Sequence, residues 1–502
     1  MNRFHTIKQP TKEIISFGLA AKVLNIIKSV LLAYYIGVNY KMDTYVLAFS
    51  TTMLLTTIVA DGILLSLIPP YQHIEDKRGK KGKREFTSVL ITFFTIVGLG
   101  FVAFGYIIAP WLIRVLGPGF KAKEMEDTIK LFRLGTPILI LHSIRTICGA
   151  YLQSEHRFKA GAKASVINPL IYIIYLVLFG DTFGLEGLII AGLIAVLGQV
   201  VVLIKPLIKD GFRYRFIWDT KSIALKNTIR SLIPIMIAIG VNQLNTTIDN
   251  GRASTLLPGS ISQLGYASEI TSLISGLFIG AMITALFPIL TENYYKDEID
   301  ELKSNINFAI NLLLIVALPL SLILMKLSHP IVTIFYQRGE FRALESQIIS
   351  EVLKYYGVGL IGTVLVMLVI RIYYAIQDTN TPMILGIIHL SINFVLNIIL
   401  AEKIGVKGIA LATSISAIVT ALYGIYDLNR KIGFIQGRIY IKNIVRIAIS
   451  LIIMGLIIGV SNNYLSHIIS NTFLGNLFNV LLSSIIGISV YGISLKRFLH
   501  KL

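Results

Sequence analysis

Charged side chains interrupt several long apolar runs. Lys22 and Lys28 fall in the first run, Asp43 and Asp61 in the second, and Glu269 in a later one. An isolated charge in hydrocarbon costs at least about 2.5–3.5 kcal/mol, so such residues are retained where they meet water, a counter-ion or a ligand. Lys22 lies roughly 13 Å deep at 1.5 Å per residue, too deep for easy snorkelling. The two lysines are six positions apart and project about 120° from each other, so they can border one wide chamber but not one narrow seam. Two ammonium groups there suit an anionic cargo; the competing reading is a pair of snorkelled or locally paired lysines. For Asp43, which opens the second helix, an N-cap carboxylate meeting the helix dipole is an equal alternative. Asp61, beside Gly62, and Glu269, about two turns into its helix, can each pair with a lysine or face water.

A second set carries oxygen. Asn242, Asn245 and Asp249 lie near the end of the seventh helix, Asn393 and Asn397 share a face of the eleventh, and Thr413 lies in the twelfth. Such side chains can coordinate a hard cation, with Na+ or H+ as the coupling ion; interhelical hydrogen bonding would use the same groups. No GxxxxGK[ST] loop, HExxH pair or cysteine cluster occurs, so neither an ATPase nor a metal enzyme is indicated and no cofactor is expected. The one cysteine, Cys148, excludes an internal disulfide framework.

The elements that position these groups are membrane helices. The 502 residues are 55% hydrophobic and 15% charged, with mean hydropathy +0.74. Runs such as INLLLIVALPLSLILM are continuous, as a helix spanning lipid requires, and lack the alternation of a barrel strand. About fourteen spans follow: 13–36, 43–71, 87–117, 129–152, 161–180, 184–208, 222–249, 262–290, 303–328, 347–376, 381–401, 404–428, 440–462 and 474–496. The net charge of +19 sits mainly in loops on one side, so it sets topology and meets anionic lipid rather than nucleic acid. The 72–86 loop holds six basic residues, and 205–221, 428–442 and the C-terminus, with Lys496, Arg497 and Lys501, add more on the same face. The loops at 181–186 and 463–473 hold none. Both termini are therefore expected in the cytoplasm, with the first helix retained as a span.

An internal repeat organises the chain. Residues 58–71 resemble 277–290, 149–174 resemble 373–399, and 183–195 resemble 404–416, at offsets of about 220. That separation covers an even number of helices, so the halves share one orientation, a transporter architecture. The expected fold is all-α integral membrane: two six-helix lobes related by a parallel repeat, plus two C-terminal helices. The expected bounds are 1–210 for the N-terminal lobe, 211–221 for a cytoplasmic linker, 222–432 for the C-terminal lobe and 433–502 for the last pair.

Four stretches resemble the MurJ family, the MviN-type lipid II flippases of the multidrug/oligosaccharidyl-lipid/polysaccharide exporter superfamily. They are AAKVLNIIKSVLLAYYIGVNYKMDTYVLAF at the start, PIVTIFYQRGEF (330–341), IRIYYAIQDTNTP (370–382) and GVKGIALATSISA (405–417). The resemblance implies a central cationic cavity that opens to each side in turn, with basic residues holding a pyrophosphate. It also implies a groove for the undecaprenyl tail along the last two helices. Lys22, Lys28 and Asp43 match family positions in the first two helices, and Asn393, Asn397 and Thr413 match places where some members bind a cation. The chain departs from the family where Lys22 and Lys28 stand for the usual Arg, Thr56 for another, and Glu269 for a third with reversed charge. Asn397 replaces what can be an acidic ligand. Lysine keeps the charge but loses the bidentate fork.

The expected function is a flippase, not an enzyme. It would carry the undecaprenyl-diphosphate-linked peptidoglycan precursor, lipid II, from the cytoplasmic to the outer leaflet of the bacterial inner membrane. The step would be alternating access driven by membrane potential or a cation gradient. Partners would be the precursor lipid, anionic membrane lipids and the cell-wall synthesis machinery. The alternatives are a flippase for another lipid-linked saccharide of capsule, teichoic or O-antigen type, a cation-coupled drug exporter, and a polyprenyl-phosphate glycosyltransferase. The last would want catalytic carboxylates in a large external loop, and the loops are short.

Overall fold

The computed structural model describes residues 3–276, 280–433, 437–468 and 472–499; Lys501 and positions 277–279 of the repeat segment lie outside them. Among the described residues there are sixteen helices and no strand. Eleven helical stretches among the described residues are long and apolar enough to cross a membrane. Two compact units divide the chain, Met1–Pro258 and Gly259–Leu502.

The first unit holds α1 (Arg3–Ile36), α2 (Tyr40–Leu116), α3 (Ala122–Gly135), α4 (Ile138–Ser154), α5 (Phe158–Phe179), α6 (Gly184–Lys209) and α7 (Ile223–Ser254). The 77 residues of α2 form two helical arms that meet at Gly79 and fold back on each other, since Thr87 Oγ1 lies 3.4 Å from Tyr71 Oη, sixteen residues away; each arm is long enough to cross a ~30 Å hydrocarbon core. The charged middle of α2 separates two apolar arms. Residues 72–86, expected as a loop, do join two spans, but the helices run into the segment from both sides and the chain turns at Gly79. Outside lipid the Lys-, Arg- and Glu-rich stretch is still good helix sequence, and only Gly79, at φ 63° and ψ −172°, breaks it. That conformation is essentially reserved for glycine. The arms of α2 pack against α3, α4 and α7, while α1 lies on α5 and α5 on α6. Gly62 lets α7 come close: a Cβ there would stand 3.0 Å from Met236 Cγ.

Where the arms of α2 meet, Tyr71 is packed edge-on against Phe86 and Tyr151. Lys83 is fully buried among them. Its ammonium lies 2.6 Å from Glu75, 2.5 Å from Glu155 and 5.0 Å from the Tyr151 ring centre. Burial works against that charge, but the hydrogen bonds to Glu155 and Glu75 outweigh it and hold the lysine pKa above its usual value.

The second unit holds α8 (Ser260–Ile274), α9 (Gly280–Tyr295), α10 (Ile299–Lys326), α11 (Ser328–Tyr336), α12 (Ala343–Ala375), α13 (Asn380–Ile404), α14 (Val406–Ile432), α15 (Gly437–Ile468) and α16 (Phe473–Leu499). Gly359 and Gly362 bring α12 against α14, since Cβ atoms there would fall 2.6 Å from Ser414 Cα and 2.5 Å from Ile418 N. Small residues are how helices approach closely in lipid. The last pair is joined by Ser461–Ser483 and Asn479–Asn462 hydrogen bonds, both 2.9 Å. It docks on the rest through Tyr491, which donates to the Ile315 carbonyl, and through Arg338 over the Phe473 ring.

The repeat is visible in backbone and charge. His156 and Gln377 both take positive φ, at 56° and 62°, as do Gly184 and Gly405, at 53° and 64°. Arg157 pairs with Asp210 at 2.8 Å in the first unit, and Asp378 with Lys431 at 2.7 Å in the second. Each of these residues stands 221 positions from its counterpart, and the ion pair has reversed polarity. The sequence match of 149–174 with 373–399 sets residues 224 or 225 apart, about one helical turn out of register with these caps. In the second unit, partial burial of Asp378 is outweighed by its bonds to Lys431 and Thr381, and its carboxyl falls to about 2.

Lys83→Met should cost about 3–5 kcal/mol, because two carboxylates lose a buried partner. Lys431→Met, whose side chain is 40% exposed, should cost at most about 1 kcal/mol. Thermal unfolding of the purified variants checks this; equal losses would contradict it.

Candidate functional site

In the first unit, Lys28 projects from α1 onto α5, its Nζ 5.3 Å from the centre of the Tyr172 ring. Tyr172 is buried and shares a side-chain hydrogen bond with Tyr45 of α2. The ammonium therefore faces protein rather than acyl chains, on an aromatic face that attracts cations. Lys22, almost two turns earlier, is exposed. Asp43 is buried, at 3% exposure, two residues before Tyr45. It is not the N-cap: Asn39 has that role, its side chain accepting from the Met42 amide at 3.1 Å. Asp43 stands in the first turn, where a carboxylate still meets the positive end of the helix dipole. Thr56 is buried and donates to the Thr52 carbonyl, so it brings no charge.

Asp61 is exposed on α2 and within electrostatic reach of Arg145 on α4. His142, one turn before Arg145, feels the same guanidinium. Neither Arg145 nor His142 was among the residues singled out from sequence. The signal was present in PILILHSIRTIC (137–148), where an arginine interrupts an apolar run as the lysines do in α1. Arg371, stacked over Phe287 in the second unit, was missed in the same way. A cavity of about 860 Å³ elsewhere in the first unit is ringed by Arg114, Lys130, Arg133, Glu126 and Glu186 and includes none of the residues expected from sequence.

In the second unit, Glu269 is half-buried on α8 and close enough to Tyr336 for their charges to interact. Tyr336 and Phe341, from the 330–341 motif, enclose Tyr266, one turn before Glu269. Asn393 and Asn397 are buried on α13. Asn397 Nδ2 donates to Asn393 Oδ1 at 2.9 Å, Asn393 Nδ2 donates to Thr413 Oγ1 at 3.1 Å, and Thr413 donates to the Ile409 carbonyl. These three expected residues are thus brought together as a hydrogen-bonded chain between α13 and α14. Asn245 and Asp249 belong to α7 in the first unit; Asp249 is buried, and Asn245 Oδ1 is buried without a hydrogen-bond partner among the described residues. The Asn242 side chain lies outside the described ones.

A family model described as Lipid II flippase MurJ matches residues 32–482. A probable lipid II flippase MurJ of Rickettsia prowazekii is 29% identical over 404 residues, covering 79% of each chain. Its counterpart from Thermotoga maritima is 26% identical over 485 residues, 96% of this chain and 95% of its own. Among solved structures, a lipid II flippase MurJ in an inward closed conformation is similar at a TM-score of 0.83 and 25% identity, covering 97% of this chain and 100% of its own. An inward-facing multidrug resistance MATE transporter shares the fold at a TM-score of 0.72 and 16% identity, covering 84% and 97%.

Asn393→Leu removes the middle of the α13–α14 chain and strands the polar groups of Asn397 and Thr413. A loss of about 1–3 kcal/mol follows, read as a lower unfolding midpoint; an unchanged midpoint would contradict the network's structural role.

Proposed function

This chain belongs to the lipid II flippase MurJ family, and on that premise we propose that it carries lipid II from the cytoplasmic to the outer leaflet by alternating access. The observation that carries the reading is the family match across residues 32–482. The protein is a multi-pass membrane transporter. The full proposal has fourteen crossings, counting both arms of α2 together with α7 and the α8–α9 pair, and places both termini in the cytoplasm. Flippases for other saccharides and drug exporters are less well supported, because the likeness to the MATE transporter concerns fold alone.

The headgroup of lipid II is a diphosphate bearing sugars. Lys28, with its ammonium held on Tyr172, and Lys22 are the groups we assign to the phosphates. Asp43 and Asp61 are the carboxylates we assign to the substrate site in the first unit, and Glu269 the one we assign in the second. The tail follows the last helix pair, whose exposed Ile449, Ile452, Leu456 and Val460 offer a surface to a polyprenyl chain. A negative headgroup moving outward runs down an inside-negative potential, gaining about 2.3 kcal/mol per charge per 100 mV. Cation coupling through Asn245, Asp249, Asn393, Asn397 and Thr413, by Na+ or H+, is a second part of the proposal. It is supported by the convergence of three of the five residues. Anionic lipid and the cell-wall synthesis machinery complete the proposed partners.

Lys28→Gln should lower lipid II translocation about tenfold or more, since a charge-assisted hydrogen bond is worth roughly 1.5–3 kcal/mol. The measure is outer-leaflet lipid II in cells depleted of the wild-type protein, at matched expression. Unaltered translocation would overturn the assignment.

A further inference from the structure

We propose that Arg145 is a phosphate-binding group of the first unit, held at rest by Asp61 and transferred to a phosphoryl oxygen when the headgroup enters. The proposal rests on the flippase reading and adds a residue to its site.

Arg145 lies nine residues before the end of α4, about 13 Å along the helix axis, inside the apolar stretch Ile138–Cys148. Its helix packs on α2, whose Asp61 carries the opposite charge that acts on it. The two attract at range but close no contact ion pair among the described residues. Arg145 Nε is buried with no hydrogen-bond partner, and so is the hydroxyl of the next residue, Thr146. Two adjacent buried polar atoms left unmatched on a membrane helix call for a missing acceptor and donor. Asp61 is exposed although it lies mid-helix in an apolar arm, so the Asp61 side of this cluster is open. Lipid is a poor explanation for that opening, because a carboxylate facing acyl chains is strongly disfavoured.

The chemistry of the cluster selects an oxyanion. A guanidinium is always charged, and its planar fork matches two phosphoryl oxygens at once. Asp61 supplies a resting counter-charge, loose enough to be displaced. His142, the other titratable group beside Arg145 on α4, adds a ring nitrogen. Thr56, further along α2, is neutral and engaged with its own helix, so on this stretch the cation comes from α4. A diphosphate has enough oxygens to engage Arg145 and an α1 lysine separately.

The test uses the full chain in nanodiscs, titrated with lipid II and with undecaprenyl diphosphate, which lacks the saccharide. Arg145→Gln should weaken binding of both lipids at least tenfold. Arg145→Lys, with the charge but not the fork, should fall between that variant and wild type. Asp61→Asn, which frees the guanidinium, should bind at least threefold tighter than wild type. A purely structural pair predicts the opposite for Asp61→Asn, so that variant decides even if Arg145→Gln does not fold. Weakening by Arg145→Gln of less than tenfold, or Asp61→Asn binding no tighter than wild type, overturns the proposal. Wild-type protein that binds neither lipid would instead overturn the flippase reading beneath it.

Discussion

An ammonium or guanidinium group inside a bilayer must be given its surroundings by the protein, because acyl chains supply neither water nor counter-ion. Lys28 has the face of Tyr172, itself fixed by Tyr45. Arg145 has Asp61 at a distance. Beyond the apolar arms of α2, Lys83 has two carboxylates and two tyrosine rings. The three solutions differ in how much of the cation is committed. Lys83 is saturated, which fits a structural clamp where the two arms meet. Arg145 is least committed, which fits a group that changes partner.

The duplication shows which of these devices belong to the scaffold. Each unit ties the turn after one helix to the end of another by an ion pair, Arg157 with Asp210 and Asp378 with Lys431. The positions are kept and the signs exchanged, so the pairing itself is what the architecture requires. At the same offset Tyr172 corresponds to Asn393 and Lys28 to Asp249, so Lys28 over Tyr172 and the Asn393–Asn397–Thr413 chain use different residue types at matching positions. These are the features in which the halves have diverged.

Much of this was legible in the sequence, because the bilayer imposes length, hydropathy and charge bias at once. The helical class and the repeat follow from those constraints. The 72–86 connection was legible, but not its tightness: the charges mark the edge of the membrane, and nothing in their pattern says that helix continues on both sides up to a single turn at Gly79. The register of the second repeat segment was misjudged by about a turn, since apolar helices of similar composition align well at several offsets; only the positive-φ caps fix it. For Asp43 a cap was one of two equal readings from sequence; Asn39, four residues earlier, takes that place. Arg145 was overlooked although the rule that picked out Lys22 applies to it equally. Its meaning depends on which helix it faces, and that is a tertiary fact.

The claim underlying the account is that the charges within the apolar arms border water and not lipid. The single native cysteine, Cys148, is buried, so introduced cysteines can be read against a low background. Lys22→Cys and Asp61→Cys should react with a membrane-impermeant maleimide in intact membranes opened to both sides, while Leu456→Cys, on the exposed apolar surface of α15, should not. Inertness of the first two, equal to that of Leu456→Cys, would contradict the account.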